Sequence, residues 1–233
     1  AQWMAPWVRN ETPAGAKTRL MLPTLNGVEE IARTAYYPMA RNWAAITDAE
    51  ARETVYAVFD ADQVHSVLAH GGPEEEACAV QAHFVPRRIE PGETWRTVYR
   101  VNAVRGLDRA DFATDEFAAQ VDYTAGKLTA LFSAVKPLNG VHINAVIVAA
   151  NGRRWQLQPK RFDITPNRLA RCTYDWTAPA DGAYDFLAQW LQNGQPVGLG
   201  ADTRSPHGGI DTQFVVGTSG GTSFEAWTDA PFL

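Results

Sequence analysis

The stretches Trp43-Ala44-Ala45-Ile46-Thr47-Asp48 and Thr54-Val55-Tyr56-Ala57-Val58-Phe59-Asp60 decide the fold class. Each is short, rich in aromatic and β-branched side chains, and closed by an Asp that suits a turn. Neither spaces its apolar residues by threes and fours, as an amphipathic helix would. Working outward, the same signature predicts strands over residues 18–22, 28–35, 64–70, 77–85 and 93–104. It resumes over 118–123, 127–134, 142–149, 154–157, 168–176, 183–192 and 195–199, a strand density expected of an immunoglobulin-like sandwich.

Between these two runs the pattern changes. Over 107–117, Asp108, Asp111, Asp115 and Glu116 interleave with Leu107, Ala110, Phe112 and Phe117 at spacings of three to five, which predicts a short helix or a linker turn. The expectation is therefore an all-β chain of two β-sandwich domains: residues 1–106, a linker at 107–117, an immunoglobulin-like sandwich at 118–200, and a Gly/Ser-rich extension at 201–233. The extension carries one clear strand at Ile210 to Val216 and a second candidate at Ser223 to Thr228. The sequence leaves open whether it returns to the first domain or stands on the surface. Asn151-Gly152 and Asn193-Gly194 predict type I′ hairpins, and Tyr184, just after Ala180-Asp181-Gly182, stands where sandwich folds place a corner tyrosine.

Composition narrows the function classes. With 45% hydrophobic and 20% charged residues, the chain of 233 residues can bury a core without a disulfide framework. A net charge of −5, with acids and bases mixed along the chain, predicts no basic stripe that could neutralise a phosphate backbone and argues against nucleic acid as a partner. The best apolar run, Val141 to Ala150, is interrupted by His142 and Asn144 and falls short of a membrane span. An opening of Ala1-Gln2-Trp3 suits a chain trimmed by signal peptidase or an excised fragment, and a secreted, periplasmic or cell-surface location is expected. Cys78 and Cys172 lack the spacing of a metal clip or redox pair and are expected to be buried thiols rather than a bridge.

The first half resembles the closing portion of a galactose-mutarotase-like supersandwich. The residues carrying this likeness are Asn42-Trp43-Ala44-Ala45-Ile46-Thr47-Asp48, Val55-Tyr56-Ala57-Val58-Phe59-Asp60, and Pro91-Gly92-Glu93-Thr94-Trp95 leading into Tyr99-Arg100-Val101. The second half resembles the immunoglobulin-like modules that follow catalytic domains in carbohydrate-active proteins. Epimerases of the supersandwich type use a His and a carboxylate on separate strands, but no motif here fixes their positions, so the resemblance transfers no catalytic residue.

The residues themselves agree with that restraint. His65, His70, His83, His142 and His207 form no metal-ligand spacing, so no metal or cofactor is expected. Ser66 lacks the Gly-x-Ser-x-Gly frame of a hydrolase, and Gly217 to Gly221 lacks the Gly-Lys-Ser/Thr ending of a phosphate loop. Glu74 to Glu76 read as a solvated loop, and the acids at 108–116 lack EF-hand spacing. Eight Trp residues are the informative excess. Trp43, Trp176 and Trp190 are expected in the core, whereas Trp3, Trp7, Trp95, Trp155 and Trp227 lie near strand ends or loops. The ligand-binding candidates are Trp95, Trp155, Trp227, His65 and His83.

Three functions follow from this reading. The first is a non-catalytic module of an exported carbohydrate-active protein, contacting glycan or another domain or chain. The second is a sugar epimerase or polysaccharide lyase. The third is a subunit of a surface filament, homo-oligomerising through terminal strands.

Overall fold

A computed structural model describes residues 2–4, 7–13, 18–24, 27–60, 62–71, 77–196 and 210–217, with side chains placed from residue 18 onward within these ranges except at 196, 210 and 211. The described residues form antiparallel sheets and no helix, an all-β architecture. In chain order the strands are β1 Gln2–Met4, β2 Trp7–Pro13, β3 Thr18–Thr24, β4 Gly27–Glu30, β5 Ala35–Tyr37, β6 Trp43–Asp48 and β7 Glu53–Phe59. There follow β8 Val64–His70, β9 Ala77–Phe84, β10 Arg87–Ile89, β11 Tyr99–Arg105, β12 Phe112–Ala113, β13 Phe117–Thr124 and β14 Lys127–Ala134. The last are β15 Leu138–Ala149, β16 Arg154–Gln156, β17 Lys160–Ile164, β18 Ala170–Asp175, β19 Gly182–Gln192, β20 Gln195–Pro196 and β21 Ile210–Val216.

Four of the sheets stack as layers. Sheet 1 has the order β2-β9-β8-β5, sheet 2 β11-β7-β6-β3-β4, and sheet 3 β12-β13-β14-β18. Sheet 4 runs β16-β15-β19-β20, with β17 also on β15 and β21 also on β19. Strands β1 and β10 pair separately.

Side-chain alternation shows how the layers meet. Leu20, Ile46, Ala57 and Phe59 of sheet 2 pack on Val67, Ala69, Val80 and Phe84 of sheet 1. Phe117, Phe132 and Leu128 of sheet 3 pack on Ile143, Ile147, Phe186 and Trp190 of sheet 4. The residues that alternation turns to the other side of sheet 2, among them Met21, Trp43, Tyr56 and Val58, form a third cluster with Leu107, Ala110, Ala113, Ala118 and Leu131. Sheets 2 and 3 are thus covered on both faces. This is why Trp43 to Thr47 and Phe117 to Val121 are buried at every position, whereas β15 alternates between buried and exposed residues.

Of the two readings that the spacing allowed, a short helix or a linker turn, residues 107–117 do not form the helix. They fold flat against sheet 3, with β12 paired to β13 through Phe112↔Ala119 and Ala113↔Ala118. The acids take part in a clamp. Arg109 reaches Asp111 at 2.8 Å and Asp122 at 2.9 Å, and its Nη2 donates to the Val121 carbonyl. The Val121 N–H donates to Asp111 Oδ2 at 2.8 Å, and Gln120 Oε1 accepts from the Asp108 N–H. The chain enters this segment through Gly106, at φ +99°, where an added Cβ would stand 2.6 Å from Leu169 Cγ; only glycine fits that crossing.

Other departures have local causes. Residues 28–35 are not one strand: β4 belongs to sheet 2 and β5 to sheet 1, so the chain changes layer between them. The strand expected from residue 93 begins at Tyr99, which pairs with Phe59, the last residue of β7; before it there is no partner strand to extend along. Asn193 (φ 51°) and Gly194 (φ 76°) form the expected type I′ hairpin, as do Ala125 and Gly126. At Asn151-Gly152 only Gly152 is left-handed. Asn151 Oδ1 accepts from the Arg153 N–H, and Ala149 pairs with Arg153 across a longer loop.

Tyr184 is buried and its hydroxyl donates to the Ala180 carbonyl at 2.7 Å, the corner contact its position implied. Strand β21 pairs with β19 over Gly182↔Val216 to Ala188↔Ile210, so this part of the extension completes sheet 4. The second candidate strand, Ser223 to Thr228, lies outside the described residues.

Cys78 and Cys172 are buried thiols, not joined in a disulfide, and lie in separate sheets. Burial pushes the Cys172 thiol up to about 12, against a smaller opposing pull from Lys160. The folded chain therefore keeps the neutral thiol through a range where the unfolded chain ionises. The stability this contributes is fully present below pH 9 and is lost as the pH rises toward 12. A thiol reagent at pH 8 is expected to modify neither cysteine in the native protein and both after urea unfolding; rapid native labelling would contradict the buried placement.

Candidate functional site

Because sheets 2 and 3 are sandwiched except along the exposed edge strand β11, most outward-facing side chains belong to sheets 1 and 4. On sheet 1, Cys78, Val80, Ala82 and Phe84 of β9 point into the core, so Gln81 and His83 point outward. Leu68 lies opposite Gln81 and opposite Tyr36, and Ser66 lies opposite His83. A register shift between Val64 and Ser66 leaves His65 as the extra residue of a bulge on this strand. On the other side of β9, Trp7 is in register with His83 and Arg9 with Gln81.

The side chains on this face touch one another. The Tyr36 ring meets the His83 ring edge-on at 5.3 Å, and Tyr36 is 62% exposed. His83 Nε2 and Gln81 Nε2 are 3.0 Å apart, and since the amide can only donate here, the imidazole nitrogen accepts. His65 Nδ1 is 3.2 Å from Ser66 Oγ. Burial, and after it the proximity of His65, holds His83 below the usual imidazole range. Replacing His65 with Gln is expected to raise the His83 midpoint, read from its imidazole proton shifts; an unmoved midpoint would mean the two rings do not sense each other.

The five sequence-derived candidates do not converge. His65 and His83 share this face. Trp95 packs against the core between sheets 1 and 2, edge-on to Phe84 at 5.5 Å and under Arg87 at 6.0 Å. Trp155 belongs to sheet 4, half-buried against Trp176 and Tyr184, with the Arg153 guanidinium 4.9 Å above it. Trp227 lies outside the described residues, as do Glu74 to Glu76, His207 and the side chains of Trp3 and Trp7. Trp43, Trp176 and Trp190 are buried as expected, yet the indole N–H groups of Trp176, Trp190 and Trp95 find no acceptor among the described residues. Tyr36 and Gln81 were missed because Tyr36 lay just beyond the predicted 28–35 strand. A break at Arg33-Thr34 would have restarted the alternation in time to place it.

The arrangement offers ring edges, imidazole nitrogens and an amide on one open sheet, a set suited to hydrogen-bonding and stacking. Among the described acids, those at 108–116 are engaged with bases: Asp108 with Arg52, Asp111 with Arg109, Asp115 with Arg100 and Glu116 with Lys136. No group of three or more His, Cys, Asp or Glu residues that could hold a metal occurs among the described residues. No helix there is long and apolar enough to cross a membrane.

No protein-family model matches the chain, and no curated protein matches it. Among solved structures, a calcium-binding mutant of Bacteroides uniformis beta-glucuronidase 2 is similar to it over 90% of this chain and 26% of that one, at 12% identity and a TM-score of 0.28. The chain thus spans about a quarter of that protein's length, and a likeness of this size bears on neither substrate nor mechanism.

Proposed function

We propose that this chain is a non-catalytic β-sandwich module of an exported carbohydrate-active protein, and that it contacts glycan through the outer face of sheet 1. The observation that carries this reading is the exposed Tyr36 ring set edge-on against His83, with Gln81 and His65 beside them. Planar rings beside fixed donors and acceptors match a sugar, which presents C–H faces ringed by hydroxyls. The immunoglobulin-like character of the second sandwich, supported by the Tyr184 corner contact, fits an accessory module.

An epimerase or lyase needs an acid and a base facing one substrate. Among the described residues, the influences on His83 are burial and His65 and no carboxylate, which favours binding over turnover. The filament reading has less support, since two of the terminal strands that motivated it are paired within the chain, β2 with β9 and β21 with β19.

The test is a glycan array probed with the whole chain and with Tyr36→Ala and His83→Ala. Both substitutions are expected to lower apparent affinity for the retained glycans at least about tenfold, the scale of a lost stacking or charge-assisted contact. Glycan binding that survives both substitutions would move the site elsewhere, and release of product from a bound glycan would make the chain an enzyme.

A further inference from the structure

The mixed charge of the whole chain conceals one segment of a single sign. Residues 153–171 hold Arg153, Arg154, Lys160, Arg161, Arg168 and Arg171 against one acid, Asp163, in a chain whose net charge is −5. That acid is already engaged, its Oδ1 accepting from the Gly140 N–H at 2.6 Å. Elsewhere several bases are met by acids: Arg52 by Asp108, Arg88 by Glu90, Arg105 by Glu53 and Arg109 by Asp111. None of the six bases at 153–171 forms an ion pair with a described residue, and all but the half-buried Lys160 are exposed.

The topology lines up two of these bases, Arg154 and Arg161. Strands β16 and β17 pair end to end with one edge of β15, placing Arg154 opposite Val148 and Arg161 opposite His142. Six residues of extended β15 separate those positions, about 20 Å at the usual rise per strand residue. Strand β18 forms the edge of sheet 3 on the same side of the sandwich. There the Lys160 ammonium lies 5.5 Å from the centre of the Tyr174 ring and bridges the two sheets. Arg153 lies over Trp155 at 4.9 Å.

We infer that this seam of the second sandwich binds a linear anionic polysaccharide, one bearing carboxylate or sulfate groups along its length. Three features favour that occupant. Charges strung along about 20 Å of edge do not converge on a single small anion, but they suit a ligand that repeats its charge. The two aromatic rings along the seam have a face covered by a cation, so they are not free platforms for stacking bases, on which single-stranded nucleic acid recognition depends. Stacking also holds the Arg153 guanidinium with its N–H edge available for bidentate contact to a carboxylate or sulfate. Charged side chains on edge strands also discourage strand-to-strand aggregation, a role that needs no ligand and predicts no selective binding.

The inference is independent of the sheet 1 face and uses residues of the other sandwich. The experiment measures binding of the whole chain to polygalacturonate, dextran sulfate, neutral dextran and single-stranded DNA at low and at physiological salt. The variants are Arg153→Gln/Arg154→Gln/Arg161→Gln, the same three positions changed to Lys, and Tyr36→Ala/His83→Ala. Polygalacturonate, dextran sulfate or both should bind, with neutral dextran inert at the seam. The Gln variant should lose at least tenfold in affinity and flatten the salt dependence, while the Lys variant and the sheet 1 variant keep binding. Thermal unfolding of each variant should match the parent, as expected for exposed substitutions. If the Gln triple variant is unstable, Arg161→Gln alone should still weaken polyanion binding severalfold. Absence of binding to both charged polysaccharides, unchanged binding by the Gln variants, or tighter binding to DNA than to either polysaccharide would each overturn the inference. Loss of polyanion binding in the sheet 1 variant alone would assign it to the other face and equally overturn it.

Discussion

Substituting Trp190 with Ala is expected to destabilise the protein by about 3–5 kcal/mol, the range for removing a large aromatic ring from a core. Trp190 is fully buried on β19. Its ring centre lies 3.9 Å from that of Phe117 and 4.6 Å from that of Phe132, both across the sandwich on sheet 3, and 5.9 Å from that of Phe162 on β17. The residue thus joins both layers and the edge strand. No neighbour has the reach to fill the vacated volume, because Phe117 and Phe132 are themselves packed edge-on at 6.1 Å. Urea unfolding read by far-ultraviolet circular dichroism measures the loss as a lower midpoint at unchanged slope. A loss below about 1 kcal/mol would mean the two sheets do not meet at this ring.

Arg109→Ala is expected to cost a comparable amount, about 3–5 kcal/mol, because it leaves a buried carboxylate without its partner. Burial works against the Arg109 charge, but Asp111 and Asp122 more than offset it and hold the guanidinium above its ordinary range. Burial also pushes the Asp111 carboxyl up, and Arg109 together with the Val121 N–H offsets only part of this. Without the guanidinium, Asp111 should take up a proton at higher pH than in the parent. A carboxyl whose folded pKa is raised favours the folded state while protonated, so this variant's deficit should be largest at neutral pH. It should shrink as the pH falls through the raised value. Urea midpoints at pH 7 and pH 5 measure this. A deficit that ignores pH would trace the loss to packing, and Arg109→Ala/Asp111→Leu, which removes both charges, should recover part of the stability.

The sequence made individual strands legible because alternation is a local signal. Trp43–Asp48, Val64–His70, Lys127–Ala134 and Ile210–Val216 begin and end where their residues predicted. The corner role of Tyr184 was also readable, since a Gly turn and a Tyr at fixed spacing are neighbours in the chain. What escaped notice depends on which surface lies opposite. Strand β17, Lys160–Ile164, alternates charged and apolar residues only over Arg161 to Ile164, too short a run to stand out before its place on the edge of β15 was known. Residues 107–117 looked like a solvent-facing linker because their acids imply water, whereas Asp111 is buried against Arg109. A buried ion pair and a solvated face share one composition, and only the partner distinguishes them. His65 is the extra residue of a bulge that period-two counting cannot anticipate, and the tryptophans were candidates by chemistry alone, so the fold was free to scatter them.

The double covering of sheets 2 and 3 fixes a dimension. With successive layers about 10 Å apart, the outer surfaces of sheets 1 and 4 stand at least about 30 Å from each other, joined by apolar contact instead of a tether. Two ligands held at those ends could not slide together onto one sugar ring. That separation is set by stacked side chains and is insensitive to the lengths of the loops.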